Sequence, residues 1–129
     1  MPLTRLSVPA HLNAAQVRAL ADAVHYGLVN ACNVPDDDRF QLVSRFAPDA
    51  MILNPTFGQV QRTADACVVE ITFLSGRTEA QKRRLYHLVV ETAVQAGFVA
   101  DDILIALTEN SRTDWSLGRG RAFADHDQA

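Results

Sequence analysis

The sequence is poor in cysteine and in lysine. Its two cysteines, Cys32 and Cys67, lie in apolar stretches and lack the spacing of metal ligands, so we expect buried, reduced thiols in a cytoplasmic protein. Lys82 is the single lysine, against eleven arginines. Besides Lys82, the amino terminus is therefore the one amine that could form an imine with a carbonyl compound.

Excess positive charge, long apolar runs and metal-ligand clusters are also missing. The formal net charge is −3 and the isoelectric point is about 5.7, which argues against a nucleic-acid partner because such proteins present a basic face. No apolar run is long enough to span a membrane, and no cleavable signal precedes the first predicted strand. The four histidines form no ligand set, so we expect no metal.

The chain has enough apolar residues for one folded domain, since 48% of its 129 residues are hydrophobic and 21% are charged. It begins directly in a predicted strand, residues 1–8. If Met1 is removed, Pro2 presents a free secondary amine. Such an amine titrates not far above neutral pH, or lower when buried, and can act as an acid, a base or a carbonyl nucleophile. The alternative is that Pro2 only fixes the backbone at a strand start.

The first half of the chain follows a strand–helix–strand pattern. Asn13 and Gln16 form a predicted capping box, and apolar residues then recur at helical spacing over residues 14–32. A polar turn over residues 34–38 leads into a second strand, residues 40–46. This half is therefore a predicted βαβ unit.

The second half repeats this pattern. An apolar, β-branched strand over residues 67–74 precedes a second capping box, made by Thr78 and Gln81. The helix that follows ends at Gly97, and residues 103–108 form another apolar strand. The second half is thus also a predicted βαβ unit, and the two units suggest a duplication.

A constant spacing of 65 residues relates the two halves, which predicts that caps, helix face, turn and following strand correspond without a gap. At this spacing Asp38 corresponds to Ile103, so the duplication does not require an aspartate at position 38. The pairs at this spacing are Asn13 and Thr78, Gln16 and Gln81, Leu20 and Leu85, Val24 and Val89, Val34 and Val99, and Asp36 and Asp101.

These units predict an α/β (α+β) fold with a four-stranded mixed sheet and two helices on one face. Each unit has parallel strands and a right-handed crossover. We expect one domain over residues 1–129. It divides into a first repeat (about 2–46), a connecting arm (47–66), a second repeat (about 67–109) and a C-terminal loop or short edge hairpin (110–129) whose last residues are loose.

The apolar strands also predict association between copies of the chain. Two helices cover one face of the sheet, and we assign Val69, Ile71, Ile103 and Ile105 to the other face. Strands that are apolar on both faces need cover on both. Other copies of the chain are the natural cover, so we expect a homo-oligomer.

Four segments resemble the tautomerase superfamily, and within it the malonate semialdehyde decarboxylase group. They are residues 1–5, 34–41, 75–82 and 109–118, and they begin with the amino-terminal Pro2. The resemblance covers nearly the whole chain. It implies a homotrimer, no metal or organic cofactor, and a small oxo acid as the substrate.

The resemblance also implies roles for individual residues. Pro2 would be the catalytic amine, Asp38 the aspartate that orients water or assists the proline, and Arg77 the arginine that holds the substrate carboxylate. The alternative interpretations give these residues no catalytic role. Asp38 would be a solvated turn residue within a run of three aspartates, and Arg77 would be a surface residue before a helix cap.

An apolar wall of the pocket is implied as well. Trp115, Leu117 and Phe123 would form it, although a tryptophan lies in a core or interface more often than in a pocket wall. Phe40 occupies a position where relatives often carry tyrosine, so a hydrogen bond to substrate would be lost. The decarboxylase pattern has two arginines around a proline, whereas this chain has one, in the segment 75–77.

Two functions of different classes follow. The first is a cofactor-independent tautomerase or decarboxylase that uses Pro2 on small oxo acids, resembling malonate semialdehyde decarboxylase and converting enol and keto forms of 2-oxo acids such as phenylpyruvate. A protonated Pro2 favours decarboxylation and a neutral one favours tautomerisation. The alternative is a non-catalytic module that binds small acids or only assembles into an oligomer.

Overall fold

Four strands and two α-helices form the computed structural model, which describes residues 1–125. The sheet has the order β2-β1-β3-β4, with β1 parallel to β2, antiparallel to β3, and β3 parallel to β4. The predicted mixed sheet with two helices on one face is confirmed. The elements are β1 (Pro2–Pro9), α1 (Ala14–Cys32), β2 (Gln41–Phe46), β3 (Cys67–Leu74), α2 (Glu79–Gln95) and β4 (Ile103–Asn110), with short 3₁₀ turns at Ala100–Asp102, Arg112–Asp114 and Phe123–Asp125.

Both helices begin where the sequence predicts. Asn13 caps α1 and Thr78 caps α2, and in each case the side chain of the glutamine three residues later accepts a hydrogen bond from the cap's backbone N–H. These reciprocal bonds satisfy amide groups that a helix start leaves unpaired. The two helices lie side by side over the sheet and approach closely at Gly27, where a Cβ atom would come within 2.7 Å of Val89 Cγ2.

The hydrophobic core lies between the helices and one face of the sheet. Val69 and Ile71 are fully or almost fully buried in it, and Ile103 and Ile105 pack against it. The expectation that these four residues face away from the helices was wrong, because every second residue of β3 and β4 is directed toward α1 and α2. They therefore give no reason to expect cover by another copy.

The opposite face of the sheet is mixed in character. Arg5 on β1 lies directly between Leu42 on β2 and Glu70 on β3, and all three are exposed. Leu42 is 47% exposed although it belongs to a strand. A charged pair beside an exposed leucine is typical of the solvent-facing side of a sheet whose other side packs on the core.

The spacing between the repeats changes once, at the ends of the helices. The residues that end the helices in the left-handed conformation, Asn33 (φ 58°) and Gly97 (φ 109°), are 64 residues apart rather than 65. Beyond them the strands keep the shorter spacing, because Thr4 pairs with Gln41, while its counterpart Val69 pairs with Ile105. The gap-free register predicted from the sequence was therefore wrong by one residue in the last strand.

This shift changes the counterpart of Asp38. At the 64-residue spacing it is Asp102, not Ile103. The backbone confirms the correspondence, because Asp38 N–H donates to the carbonyl of Pro35 and Asp102 N–H donates to that of Val99, each at 3.0 Å. Each repeat thus has an aspartate in the turn before its edge strand.

Both cysteines are reduced and buried, as predicted. Burial raises the pKa of the Cys32 thiol, and the neighbouring Arg77 guanidinium acts in the opposite direction. No helix within residues 1–125 combines the length and the apolarity needed to cross a membrane. Residues 126–129, part of the predicted loose tail, lie outside the described residues.

Candidate active site

The sheet topology brings the proposed catalytic residues to one end of the sheet. Pro2 pairs with Phe73 on β3, and Phe73 pairs with Glu109 on β4. The start of β1 and β2 and the finish of β3 and β4 therefore lie at the same end, which we call the Pro2 end. The loops that carry Asp38 and Arg77 open from this end, and so does the segment after β4.

The terminal amine and Asp38 form an ion pair at the Pro2 end. The Met1 nitrogen lies 3.4 Å from Asp38 Oδ2, and the Met1 and Asp38 side chains are 6% and 19% exposed. The second carboxylate oxygen, Oδ1, is buried and has no hydrogen-bond partner within residues 1–125. A buried acceptor without a partner is costly. Asp38 therefore presents an unused acceptor beside a terminal amine.

Asp102, the counterpart of Asp38, has hydrogen-bond partners within the chain for both of its carboxylate oxygens. Its carboxylate accepts the Thr63 N–H at 2.7 Å and the Thr63 hydroxyl at 2.5 Å, and Asp102 is 1% exposed. In the first repeat, within residues 1–125, Asp38 Oδ1 has no such partner and Oδ2 lies 3.4 Å from the Met1 nitrogen. Asp102 thus binds the chain itself, whereas Asp38 keeps one carboxylate oxygen available for another group.

Arg39 holds the loop that carries Asp38 against α1. Its Nη2 donates to Asp22 Oδ1 at 2.7 Å and its Nε donates to Gln41 Oε1 at 2.9 Å. Gln41 in turn donates to the Ala21 carbonyl at 2.8 Å. The hydrogen bond from Arg39 is the main reason that the pKa of Asp22 lies below its usual value. Arg39 and Gln41 position the loop without belonging to the predicted site.

His25 fastens the same loop from within α1. Its Nε2 donates to the Asp36 carbonyl at 2.8 Å and lies 3.6 Å from Asp36 Oδ1. His25 is 8% exposed and sits on the buried face of the helix between Val24 and Leu28. A histidine at a core-facing helical position is the sequence signal that was available for this role, but it does not identify the partner.

Arg77 lies at the Pro2 end and has a clear structural role there. Its guanidinium is 5.1 Å from the centroid of the Phe73 ring, and Phe73 is the strand partner of Pro2. Arg77 donates to the carbonyls of Leu74 at 3.0 Å and Cys32 at 3.3 Å. Because Cys32 is the last residue of α1, this bond satisfies a helix-end carbonyl. These bonds use two of the five N–H donors of a guanidinium.

The expected wall residues are only partly brought together. Trp115 Nε1 donates to Asn110 Oδ1 at 2.6 Å, and the Phe123 N–H donates to the Trp115 carbonyl at 2.8 Å in a short hairpin after β4. Leu117 at the hairpin and Phe40 before β2 are 44% and 48% exposed. The single chain therefore leaves both residues nearly half exposed.

Other chemical groups at this end are few. Lys82 Nζ, the side-chain amine, is paired with Glu109 Oε1 at 3.1 Å. Within residues 1–125 no group of three or more His, Cys, Asp or Glu side chains is arranged to hold a metal ion. Within residues 1–125, neither the cavity of about 600 Å³ nor the one of about 550 Å³ is lined by Pro2, Asp38 or Arg77.

Comparisons with known proteins identify the family and the fold. The family model for tautomerase enzymes matches residues 38–118. The probable tautomerase YrdN of Bacillus subtilis (strain 168) is 32% identical over 123 residues, covering 95% of both chains. A malonate semialdehyde decarboxylase with decarboxylase and hydratase activities superimposes with a TM-score of 0.88 at 35% identity, covering 95% of both chains. A fused 4-OT that forms a symmetric trimer shares the fold, with a TM-score of 0.76 at 20% identity over 95% of this chain and 96% of that chain. The chain belongs to the tautomerase family.

Proposed function

We propose that this protein, once Met1 has been removed, is a cofactor-independent tautomerase or decarboxylase that acts on small oxo acids through the amine of Pro2. Pro2 is the acid, base or nucleophile, Asp38 is its carboxylate partner, and Arg77 binds the substrate carboxylate. The observation that carries the proposal is the ion pair between the terminal amine and Asp38, whose second oxygen has no partner among residues 1–125.

Removal of Met1 moves the terminal amine by one residue. Consecutive Cα atoms are about 3.8 Å apart, so the Pro2 nitrogen starts within one residue of the position where Asp38 already meets an amine. Pro2 is buried and is tied into the sheet opposite Phe73. Its nitrogen is therefore held in place, and holding an acid or base in position is a large part of its catalytic effect.

Decarboxylation of a 3-oxo acid needs a polarised carbonyl. A protonated Pro2 donates a hydrogen bond to the carbonyl oxygen, and the bond between the α-carbon and the carboxylate carbon breaks. Its electron pair passes into the forming enol, carbon dioxide leaves, and a proton then returns to the α-carbon. A neutral Pro2 does different chemistry with the same geometry, since it takes a proton from an enol oxygen and one is delivered to carbon.

Further copies of the chain would complete the site. Phe40 and Leu117 are nearly half exposed, and neither the cavity of about 600 Å³ nor the one of about 550 Å³ is lined by the catalytic candidates. The fused 4-OT is a trimer, and we propose a homotrimer in which neighbouring subunits cover these side chains together with Trp115. Covering the site would also exclude water from the reacting groups.

A panel of small oxo acids tests the proposed activity. Wild-type protein whose mass shows that Met1 is absent is expected to turn over malonate semialdehyde, the enol of phenylpyruvate, or both. The same chain with Met1 retained is expected to show no turnover, because Pro2 is then a tertiary amide. Binding of the acids without any turnover by the Met1-free chain would instead favour the non-catalytic acid-binding module.

Arg77→Ala is expected to raise KM for these acids by about tenfold or more while changing kcat less, because a charge-assisted contact with the substrate carboxylate is lost in ground and transition states alike. Steady-state kinetics on the best substrate of the panel measures the effect. Thermal unfolding separates it from the cap that Arg77 provides to α1. A lower unfolding temperature with an unchanged KM would assign Arg77 to the cap alone.

A further inference from the structure

A cavity of about 600 Å³ lies at the opposite end of β1, where the arm of residues 47–66 covers the finish of β1 and β2. We call this the Pro9 end of the sheet. The volume is typical of small-molecule sites. The lining is mostly apolar and includes Phe46, Met51 and Leu53. Its basic residues are Arg62 and His11, and His11 Nε2 is already paired with Asp65 Oδ1 at 2.6 Å.

The Pro9 end corresponds to the Pro2 end through the internal duplication. Cys67, at the start of β3, lies 65 residues after Pro2 and begins the equivalent strand. The loops that follow the central strands are held in the same way, because Ala10 N–H donates to the Phe46 carbonyl and Ser75 N–H donates to the Asn110 carbonyl, both at 2.8 Å. The cavity therefore occupies the place of the candidate active site in the other repeat.

The apolar residues that line the cavity also have counterparts in the other repeat. Phe46 and Asn110 are 64 residues apart, and at this spacing Met51 corresponds to Trp115 and Leu53 to Leu117. The wall expected for the Pro2 end thus has counterparts in the arm. The arm already borders a half-open cavity within the single chain.

Arg62 supplies a cation that the chain itself does not fully use. Its Nη1 donates to the carbonyls of Asn54 and Phe57, both at 2.8 Å, which fixes the guanidinium in the arm. Its Nε is buried, and its Nη2 makes no hydrogen bond within the part of the chain that the structure describes, so Nη2 is the donor left for a ligand. A fixed guanidinium with an unused N–H in an apolar cavity is complementary to a carboxylate.

We propose that this cavity is a second, non-catalytic binding site for a monocarboxylic acid with an apolar body. The carboxylate binds Arg62, and the apolar body packs against Met51, Leu53 and Phe46. Because Arg62 and the arm are independent of Pro2, the inference does not depend on the activity proposed for the other end.

The cavity binds such an acid without converting it. The position of Pro2 is taken by Cys67, whose backbone nitrogen is an amide within the chain. Burial raises the pKa of the Cys67 thiol to about 12, and the carboxylates of Asp102 and Asp65 add to this effect, so the thiol stays neutral. The counterpart of Asp38, Asp102, is occupied by Thr63.

Titration calorimetry with two ligands of the same shape tests the site. The full chain is expected to bind 2-naphthylacetate about tenfold or more tightly than the uncharged 2-naphthylacetamide. Arg62→Gln is expected to remove this preference by weakening only the acid. Arg84→Gln, at an exposed position on α2, is the matched control and should leave both affinities unchanged. Leu53→Trp, which fills the cavity, should weaken both ligands.

Three results would overturn the proposal. Absence of binding to the wild type would do so. Acid binding that survives both Arg62→Gln and Leu53→Trp but is lost in Arg77→Ala would place the ligand at the Pro2 end. A change of oligomeric mass in sedimentation on either cavity substitution, with no effect on the acid, would make the cavity an interface between copies. Far-UV circular dichroism of each variant checks that the fold is retained.

Discussion

A Met1-free sample carrying Pro2→Ala is expected to lose at least about a hundredfold in kcat on any oxo acid that the wild type converts. Alanine keeps an amine at the terminus, but it is primary and rotates freely, whereas the proline ring fixes φ and the direction of the nitrogen. The nitrogen would no longer be held beside Asp38 and the Phe73 strand. Initial rates at saturating substrate measure the change, and intact mass confirms that Met1 is absent from both samples.

The control for this experiment is Ser7→Ala on the same strand. Ser7 is half-buried near the far end of β1, on the face opposite the helices, and lies outside both the candidate site and the cavity lining. Its replacement should leave kcat unchanged. Equal losses in the two variants would attribute the effect to the strand, and an unchanged rate in Pro2→Ala would contradict a mechanism through the amine.

The helices were predictable because their signals are local. Each capping box joins residues three apart in sequence, and the buried face of α1 follows from apolar residues at helical spacing. These inferences need no knowledge of what packs against what. The grouping of Asp38 and Arg77 with Pro2 was expected only from the family resemblance, and the sheet topology brings their loops to the same end.

Which side chains of each strand face the helices was harder to predict from the sequence. In β3 Val68 and Val69 are both apolar, so alternation cannot say which of them faces the helices, and the sequence assignment was wrong. The one-residue change in repeat spacing was missed for a related reason. Val34 and Val99 match in type at 65 residues, although the left-handed Asn33 and Gly97 show that the counterparts are 64 apart.

Contacts between distant segments were not predictable. The bond from Arg39 to Asp22 and the bond from Thr63 to Asp102 join residues separated by 17 and 39 positions. An arginine or aspartate in a loop has many possible partners, and composition does not select among them. The cavity under the arm belongs to the same class, since Arg62 becomes notable only once its buried Nε is seen.

Asp38 and Asp102 occupy equivalent positions in the two repeats, but we expect replacement by asparagine to affect them differently. The change should lower stability at Asp102 and activity at Asp38. Asp102→Asn is expected to lower the free energy of unfolding by about 2 kcal/mol, since an amide cannot accept both Thr63 donors as strong charge-assisted bonds. Asp38→Asn is expected to change it by less than about 1 kcal/mol, because one oxygen of Asp38 has no partner to lose. Urea unfolding of the Met1-free proteins measures both.

Activity should show the reverse order. Asp38→Asn is expected to slow decarboxylation or hydration about tenfold or more, and to slow simple enol–keto exchange less, because the carboxylate assists Pro2 or orients water in the former reactions. Asp102→Asn should leave these rates unchanged below its unfolding transition, since Asp102 holds the arm at the other end of the sheet. A loss of stability in Asp38→Asn as large as that in Asp102→Asn would mean that Asp38 has the same structural role as its counterpart. Equal slowing of all reactions would mean that Asp38 shapes the site without taking part in the chemistry.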